Sequence, residues 1–129
     1  GSSFELCWSK QKHKRLIARV KWMGAFGHAD ARDRVHPTQK PLKLVEFFLN
    51  NWGDDTKLVA DLFLGSGTTM VASHQLKRKC YGMELDCRYA DVIVKRMLKL
   101  DKTLNIKKNG IDETEKWLSK INEASDEEE

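Results

Sequence analysis

Asp61-Leu62-Phe63-Leu64-Gly65-Ser66-Gly67-Thr68-Thr69 is the stretch whose reading decides the fold. The apolar run Lys57–Leu62 leads into it with the length of a strand, and Thr68–Leu76 leaves it with the character of a helix. Glycines between a strand and a helix let the backbone turn sharply and let a ligand approach it closely. The helix that follows presents unpaired N–H groups and the positive end of its dipole to an anionic group. A phosphate-cradling P-loop needs a lysine just before its Ser/Thr, and Gly67 stands there instead. A dinucleotide loop prefers a third glycine, and Met70 occupies that place. Asp61, at the end of the strand, would repel a pyrophosphate and suits an ammonium group. S-adenosylmethionine carries such an ammonium, together with a carboxylate and a sulfonium.

Outward from this loop the pattern stays regular. Lys79–Leu85 reads as a second strand, ending at Glu84-Leu85-Asp86. A carboxylate at the end of the second strand, here Glu84, can accept hydrogen bonds from both hydroxyls of a ribose. Upstream, Pro41 suits the first turn of a helix, because its missing N–H would be unpaired there anyway. Leu42, Val45, Phe48, Leu49 and Trp52 recur at helical spacing, with Gly53 as the stop. Downstream, Tyr89 to about Leu100 is amphipathic, with Ala90, Ile93, Val94, Met97 and Leu98 on one face. Residues 41–100 thus spell α-β-α-β-α, which predicts an α/β fold: a partial Rossmann-like parallel sheet flanked by helices. Two or three parallel strands are few for such a sheet, so a larger fold is expected.

Outside this frame, Phe4–Trp8 and Leu16–Trp22 read as short strands, Lys10–Arg15 and Gly24–Val35 as loops. Residues 101–111 are polar and expected to loop, Glu113–Ile121 to form a short helix, and Ser125–Glu129 to be disordered. Residues 112–129 hold eight carboxylates against Lys116 and Lys120, a net of −6; the whole chain carries +4, so the remainder carries +10. Six Lys/Arg and no acid lie between Lys10 and Lys21. A basic body is compatible with a polyanionic partner such as nucleic acid, and equally with a solvated basic surface. Three cysteines without a CxxC pair argue against a disulfide framework or a zinc site, and a reducing cytoplasm is the expected setting. No apolar run has membrane-spanning length, so no membrane partner is expected.

The motifs then resemble a known family. Arg34-Val35-His36-Pro37-Thr38-Gln39-Lys40-Pro41 is similar to motif X of the DNA amino-methyltransferases that modify adenine N6 or cytosine N4. Asp61 to Thr69 resembles their motif I, D-P-F-x-G-S-G-T-T, with Leu62 in place of proline; Tyr81–Asp86 followed by Tyr89 resembles motif II. Motif X before motif I matches a permuted class, and the HPTQKP wording favours the adenine-N6 enzymes. The resemblance implies binding of S-adenosylmethionine. Asp61 and the loop Gly65, Ser66, Gly67 and Thr68 would hold its methionine portion, with Phe63 packed nearby. Glu84 would bind the ribose, and Thr38 and Lys40 would fix the carboxylate. Asp86 is either an adenosine contact or a helix N-cap. His36 belongs to a structural turn in this family, although it also invites a reading as a general base. The implied partner is double-stranded DNA, engaged through the full enzyme, and the implied setting is bacterial or phage.

One family motif is absent. The catalytic D/N/S-P-P-Y/F/W segment requires adjacent prolines, and the chain has only Pro37 and Pro41. No catalytic residue is therefore assigned. The expected organisation is residues 1–35 as a remnant of an upstream strand and target-recognition region, 36–104 as the cofactor-binding α/β portion, and 105–129 as polar linker, short helix and acidic tail. The chain is expected to be a C-terminal fragment, a truncated gene product or one piece of a split enzyme, inactive alone. Two alternatives stand beside this: a non-catalytic piece that assembles with its own copies or a complementary catalytic chain, and a nicotinamide-dependent oxidoreductase fragment, disfavoured by Asp61 and Met70.

Overall fold

The computed structural model describes residues 10, 12, 14–20, 39–52 and 57–126. The expected strand at Phe4–Trp8, the loop Gly24–Val35, the turn His36-Pro37-Thr38 and the stop at Gly53 lie outside these residues. Helix α1 (Leu42–Trp52) is followed by strand β1 (Leu58–Asp61), helix α2 (Thr68–Gln75), strand β2 (Lys79–Gly82) and helix α3 (Cys87–Leu100). A short hairpin, β3 (Lys107–Lys108) and β4 (Ile111–Asp112), then leads into helix α4 (Thr114–Asp126). β1 and β2 pair in parallel, with Leu58 opposite Lys79 and Asp61 opposite Gly82. The fold is α/β, a small parallel sheet with helices packed beside it.

Strand alternation assigns the faces. Val59, Asp61 and Cys80 are half-buried, and the Cys80 thiol meets the hydroxyl of Ser73 on α2. Leu58, Ala60 and Tyr81 point the other way and are exposed. Helix α2 packs against β2, α1 and α3, which explains why Ala72 and Ser73 are both fully buried. The core is Leu64, Val71, Ile93 and Met97, with Leu42, Met70 and Leu104 packed against it. It lies directly beneath the β1–α2 loop, since Leu64 belongs to that loop.

Three expectations need correction. Leu16–Val20 forms no strand, and Ile17 is 78% exposed. A strand needs a neighbour for its backbone groups, and among the described residues no strand pairs with this segment. Residues 101–111 are not all loop, because Lys107–Lys108 pairs antiparallel with Ile111–Asp112. Asn109 and Gly110 make the turn with φ of 52° and 83°, the backbone that a two-residue hairpin with right-twisted strands requires. The last helix also runs past the expected Ile121 to Asp126 and packs on α3.

Candidate functional site

Beyond the ends of β1 and β2 the two chains stay zipped together. The Met83 amide donates to the Asp61 carbonyl at 2.9 Å, and the Leu64 amide to the Met83 carbonyl at 2.9 Å. The next rung uses a side chain: the Gly65 amide donates to Oε2 of Glu84 at 2.7 Å. The other carboxylate oxygen of Glu84 accepts from the Asp86 amide at 2.9 Å. Glu84 thus ties the glycine loop after β1 to the chain leaving β2. Asp61 closes a local turn, its Oδ1 accepting from the Phe63 amide at 3.0 Å.

The loop turns into α2 at Gly67, whose φ of 83° lies in the left-handed region that side chains disfavour. A second constraint acts at the same residue, because a Cβ there would sit 2.8 Å from Cγ1 of Ile93 on α3. Gly82 meets a comparable constraint, since a Cβ would lie 2.5 Å from Cδ2 of Leu64. Glycine at these two places lets α3 and the β2 end approach the loop closely.

A cleft of about 550 Å³ opens over this loop, at the carboxyl ends of the two parallel strands. This is where ligands bind open α/β sheets, and the volume suits a nucleoside-sized molecule. Of the residues expected from sequence, Asp61, Phe63 and Glu84 line it, as do Gly65, Ser66 and Thr68 of the loop. Lys40 reaches it from the segment before α1. Gly67 shapes the turn without lining the cleft, and Asp86 lies outside the lining. The Asp86 carboxylate caps α3, accepting from the Arg88 amide at 2.9 Å, and pairs with the Arg88 guanidinium at 2.6 Å. The guanidinium first and the amide second hold its carboxyl down at about 2. Thr38 lies outside the described residues.

Three participants were not anticipated. Gln39 lines the cleft and accepts from the Ser66 hydroxyl at 2.9 Å. Arg96 of α3 donates to the Ser66 carbonyl at 2.7 Å. Leu85 lines the cleft fully exposed, as Phe63 nearly is at 91%. A residue's place between two carboxylates could have flagged Leu85; nothing in sequence spacing links Arg96 to a loop 30 residues upstream.

The chemistry of this donor set is specific. Two carboxylates, the Gly65-Ser66 turn and an ammonium side chain line one cleft, with Phe63 and Leu85 exposed beside them. Exposed apolar side chains at a cleft edge mark a binding surface. The carboxylates retain lone pairs beyond those already used, so they can accept from ligand ammonium or hydroxyl groups. Among the described residues no cluster of His, Cys, Asp or Glu gathers to hold a metal ion, and no helix is long and apolar enough to cross a membrane.

Fold and cleft together define an α/β protein whose candidate site lies at the carboxyl ends of its parallel strands. Comparison narrows the class: the model of the N6/N4 DNA methylase family matches residues 3–95. The chain belongs to this family of DNA amino-methyltransferases. It is 34% identical over 65 residues to the type II methyltransferase M.BglII from Bacillus subtilis, covering 50% of this chain and 18% of that protein. It is 36% identical over 97 residues to the type II methyltransferase M2.DpnII of Streptococcus pneumoniae, covering 75% of this chain and 31% of that protein. Among solved structures it is similar to M1.HpyAVI, at 35% identity and a TM-score of 0.43, over 46% of this chain and 30% of that one. The chain therefore spans a third or less of the length of these relatives.

Proposed function

We propose that the cleft binds S-adenosylmethionine and that the chain is the cofactor-binding portion of a DNA methyltransferase, adenine-N6 in preference to cytosine-N4. The observation that carries this reading is the convergence of Asp61, the Gly65–Thr68 turn and Glu84 on one cleft at the strand ends. Asp61 suits the cofactor's ammonium, Glu84 its ribose hydroxyls, and Lys40 with Thr38 its carboxylate. Phe63 and Leu85 offer apolar faces to the adenine and the methyl-bearing end. Asp86 acts through the start of α3. The bound cofactor supplies an electrophilic methyl group; the complete enzyme would direct it to an exocyclic amine of a base taken out of the duplex. The adenine preference rests on the HPTQKP wording of residues 36–41.

The chain contains no adjacent prolines and so no D-P-P-Y-type segment to hold the target amine. Binding without transfer is the activity expected of it alone. Isothermal titration with S-adenosylmethionine, S-adenosylhomocysteine and NAD tests the reading. Saturable binding of the first two and not the third is expected. Binding of NAD alone would overturn it, and incorporation of labelled methyl into duplex DNA by the purified chain would overturn its inactivity.

A second reading has its own observation. Parallel sheets are normally covered on both faces. Here Leu58 and Tyr81, on the face away from α2, are 54% and 66% exposed. That bare face favours assembly with a complementary catalytic polypeptide or with copies of the chain. Binding to none of the three ligands would put this reading first.

A further inference from the structure

Ser66 sits in the middle of the glycine loop, yet it is only 3% exposed. Its burial comes from two elements that meet on it. From the segment before α1, Gln39 Oε1 accepts the Ser66 hydroxyl at 2.9 Å. From α3, one guanidinium nitrogen of Arg96 donates to the Ser66 carbonyl at 2.7 Å and to its hydroxyl oxygen at 3.1 Å, with the Thr68 hydroxyl at 3.4 Å. The Ser66 hydroxyl therefore serves as donor toward Gln39 and acceptor toward Arg96. Arg96 lies three residues beyond Ile93, the side chain that faces Gly67, so one face of α3 supports the whole turn.

The physical case for a charged donor here is direct. A loop carbonyl has no helix or strand partner, and leaving it buried and unpaired costs the full desolvation of that group. One terminal nitrogen of a guanidinium satisfies carbonyl and hydroxyl together, because it carries two N–H bonds fixed in the guanidinium plane. Arg96 does not line the cleft, so it reaches a ligand only through the loop.

We infer that Arg96 is a positioning residue that, with Gln39, clamps Ser66 and so holds the Gly65–Thr68 turn and the Gln39-Lys40 segment as one wall of the cleft. This deepens the cofactor reading and rests on it for the identity of the ligand. Closing of that wall around a ligand and integrity of the clamp are then coupled, and the coupling passes through one hydroxyl and one carbonyl of Ser66.

The arrangement predicts an asymmetric mutant pattern. Arg96→Ala weakens S-adenosylhomocysteine binding about tenfold, the loss expected for a charge-assisted hydrogen bond. Arg96→Lys recovers part of it, because an ammonium can serve one of the acceptors. Gln39→Ala has a smaller effect in a Ser66→Ala background than in the wild type, because the Ser66 hydroxyl that donates to Gln39 is gone. Arg96→Ala still acts in the Ser66→Ala background, because the carbonyl remains.

Hydrogen exchange separates the clamp from the ligand assignment. In the unliganded chain, Arg96→Ala should speed exchange at the Gly65 and Gly67 amides, and Arg96→Lys should slow it again. Unchanged exchange in Arg96→Ala, or equal effects of Gln39→Ala with and without the Ser66 hydroxyl, would overturn the clamp. Faster exchange with no cofactor binding by the wild-type chain would overturn the cofactor reading and leave the clamp standing as a loop support.

Discussion

The amide of Gly65 donates to the Glu84 carboxylate at 2.7 Å, across 19 residues of chain. One side chain thereby fixes the loop after the first strand to the end of the second, and it lines the cleft. Glu84→Ala strips the Gly65 and Asp86 amides of their acceptor. Each such bond to a charged group contributes about 1.5–3 kcal/mol, so cofactor binding should weaken about tenfold or more. Titration calorimetry with S-adenosylhomocysteine measures this, with circular dichroism confirming the fold. Glu84→Gln, which can still accept through one oxygen, should fall between. Wild-type affinity in Glu84→Ala would remove Glu84 from the site.

The two constrained glycines should not be equivalent. Gly67→Ala places a side chain at φ 83° and drives it to 2.8 Å from Ile93. Left-handed backbone costs about 1–2 kcal/mol and overpacking a further 1–3, so a loss of about 2 kcal/mol or more is expected. Gly82→Ala has no positive φ and meets the methyl ends of Leu64, which can shift, so about 1 kcal/mol is expected. Urea unfolding of the three proteins decides it. Equal midpoints for the two variants would contradict the backbone argument at Gly67.

Legibility in the sequence followed the range of the interactions. Asp61, Gly65 and Glu84 could be placed at one end of a sheet because strand–loop–helix–strand order dictates it, and the cleft gathers them. Position alone leaves Asp86 between ligand contact and N-cap, and local geometry makes it the N-cap of α3. The hairpin at 107–112 was legible in principle, because Asn109-Gly110 is a strong turn dipeptide; the polar flanks of two-residue strands hid it. Arg96 was not legible. Its partner Ser66 lies a helix and a strand away, and only the packing of α3 under the loop brings them together. Leu16–Val20 shows the converse, an apolar segment with no strand beside it among the described residues.

Asp86 makes a prediction about acid. Its carboxyl is held at about 2 against an ordinary 3.8, by the Arg88 guanidinium first and the Arg88 amide second. A carboxyl depressed on folding contributes stability above its unfolded value, and that contribution fades as pH falls through 3.8 toward about 2. Asp86→Asn keeps a capping oxygen and removes the charge. The melting-temperature gap between wild type and Asp86→Asn should therefore be constant near neutrality and close progressively below about pH 4. A gap that persists or widens on acidification would show that the charge of Asp86 does not stabilise the fold. The side chain is partly exposed, so high salt should narrow the gap at neutral pH as well.

Trp117 tests whether the C-terminal elements fold with the rest. It is 7% exposed on α4, which packs against α3, and the Lys120 ammonium lies 4.8 Å from its ring centroid. Truncating a buried Trp to alanine typically costs about 3–5 kcal/mol. If α4 is part of one cooperative unit, Trp117→Ala should lower the global urea midpoint by a corresponding amount, while Lys120→Ala, which removes only a surface cation–π contact, should cost about 0.5–1 kcal/mol. The consequence reaches the site, because α3 carries both Ile93 and Arg96 beneath the glycine loop. Loosening α3 by removing Trp117 should raise exchange at the Gly65 and Gly67 amides, although the indole itself lies far along the sequence from them. Loss of α4 helicity without a change in the global midpoint would make residues 105–126 an independently melting appendage and would uncouple them from the cleft.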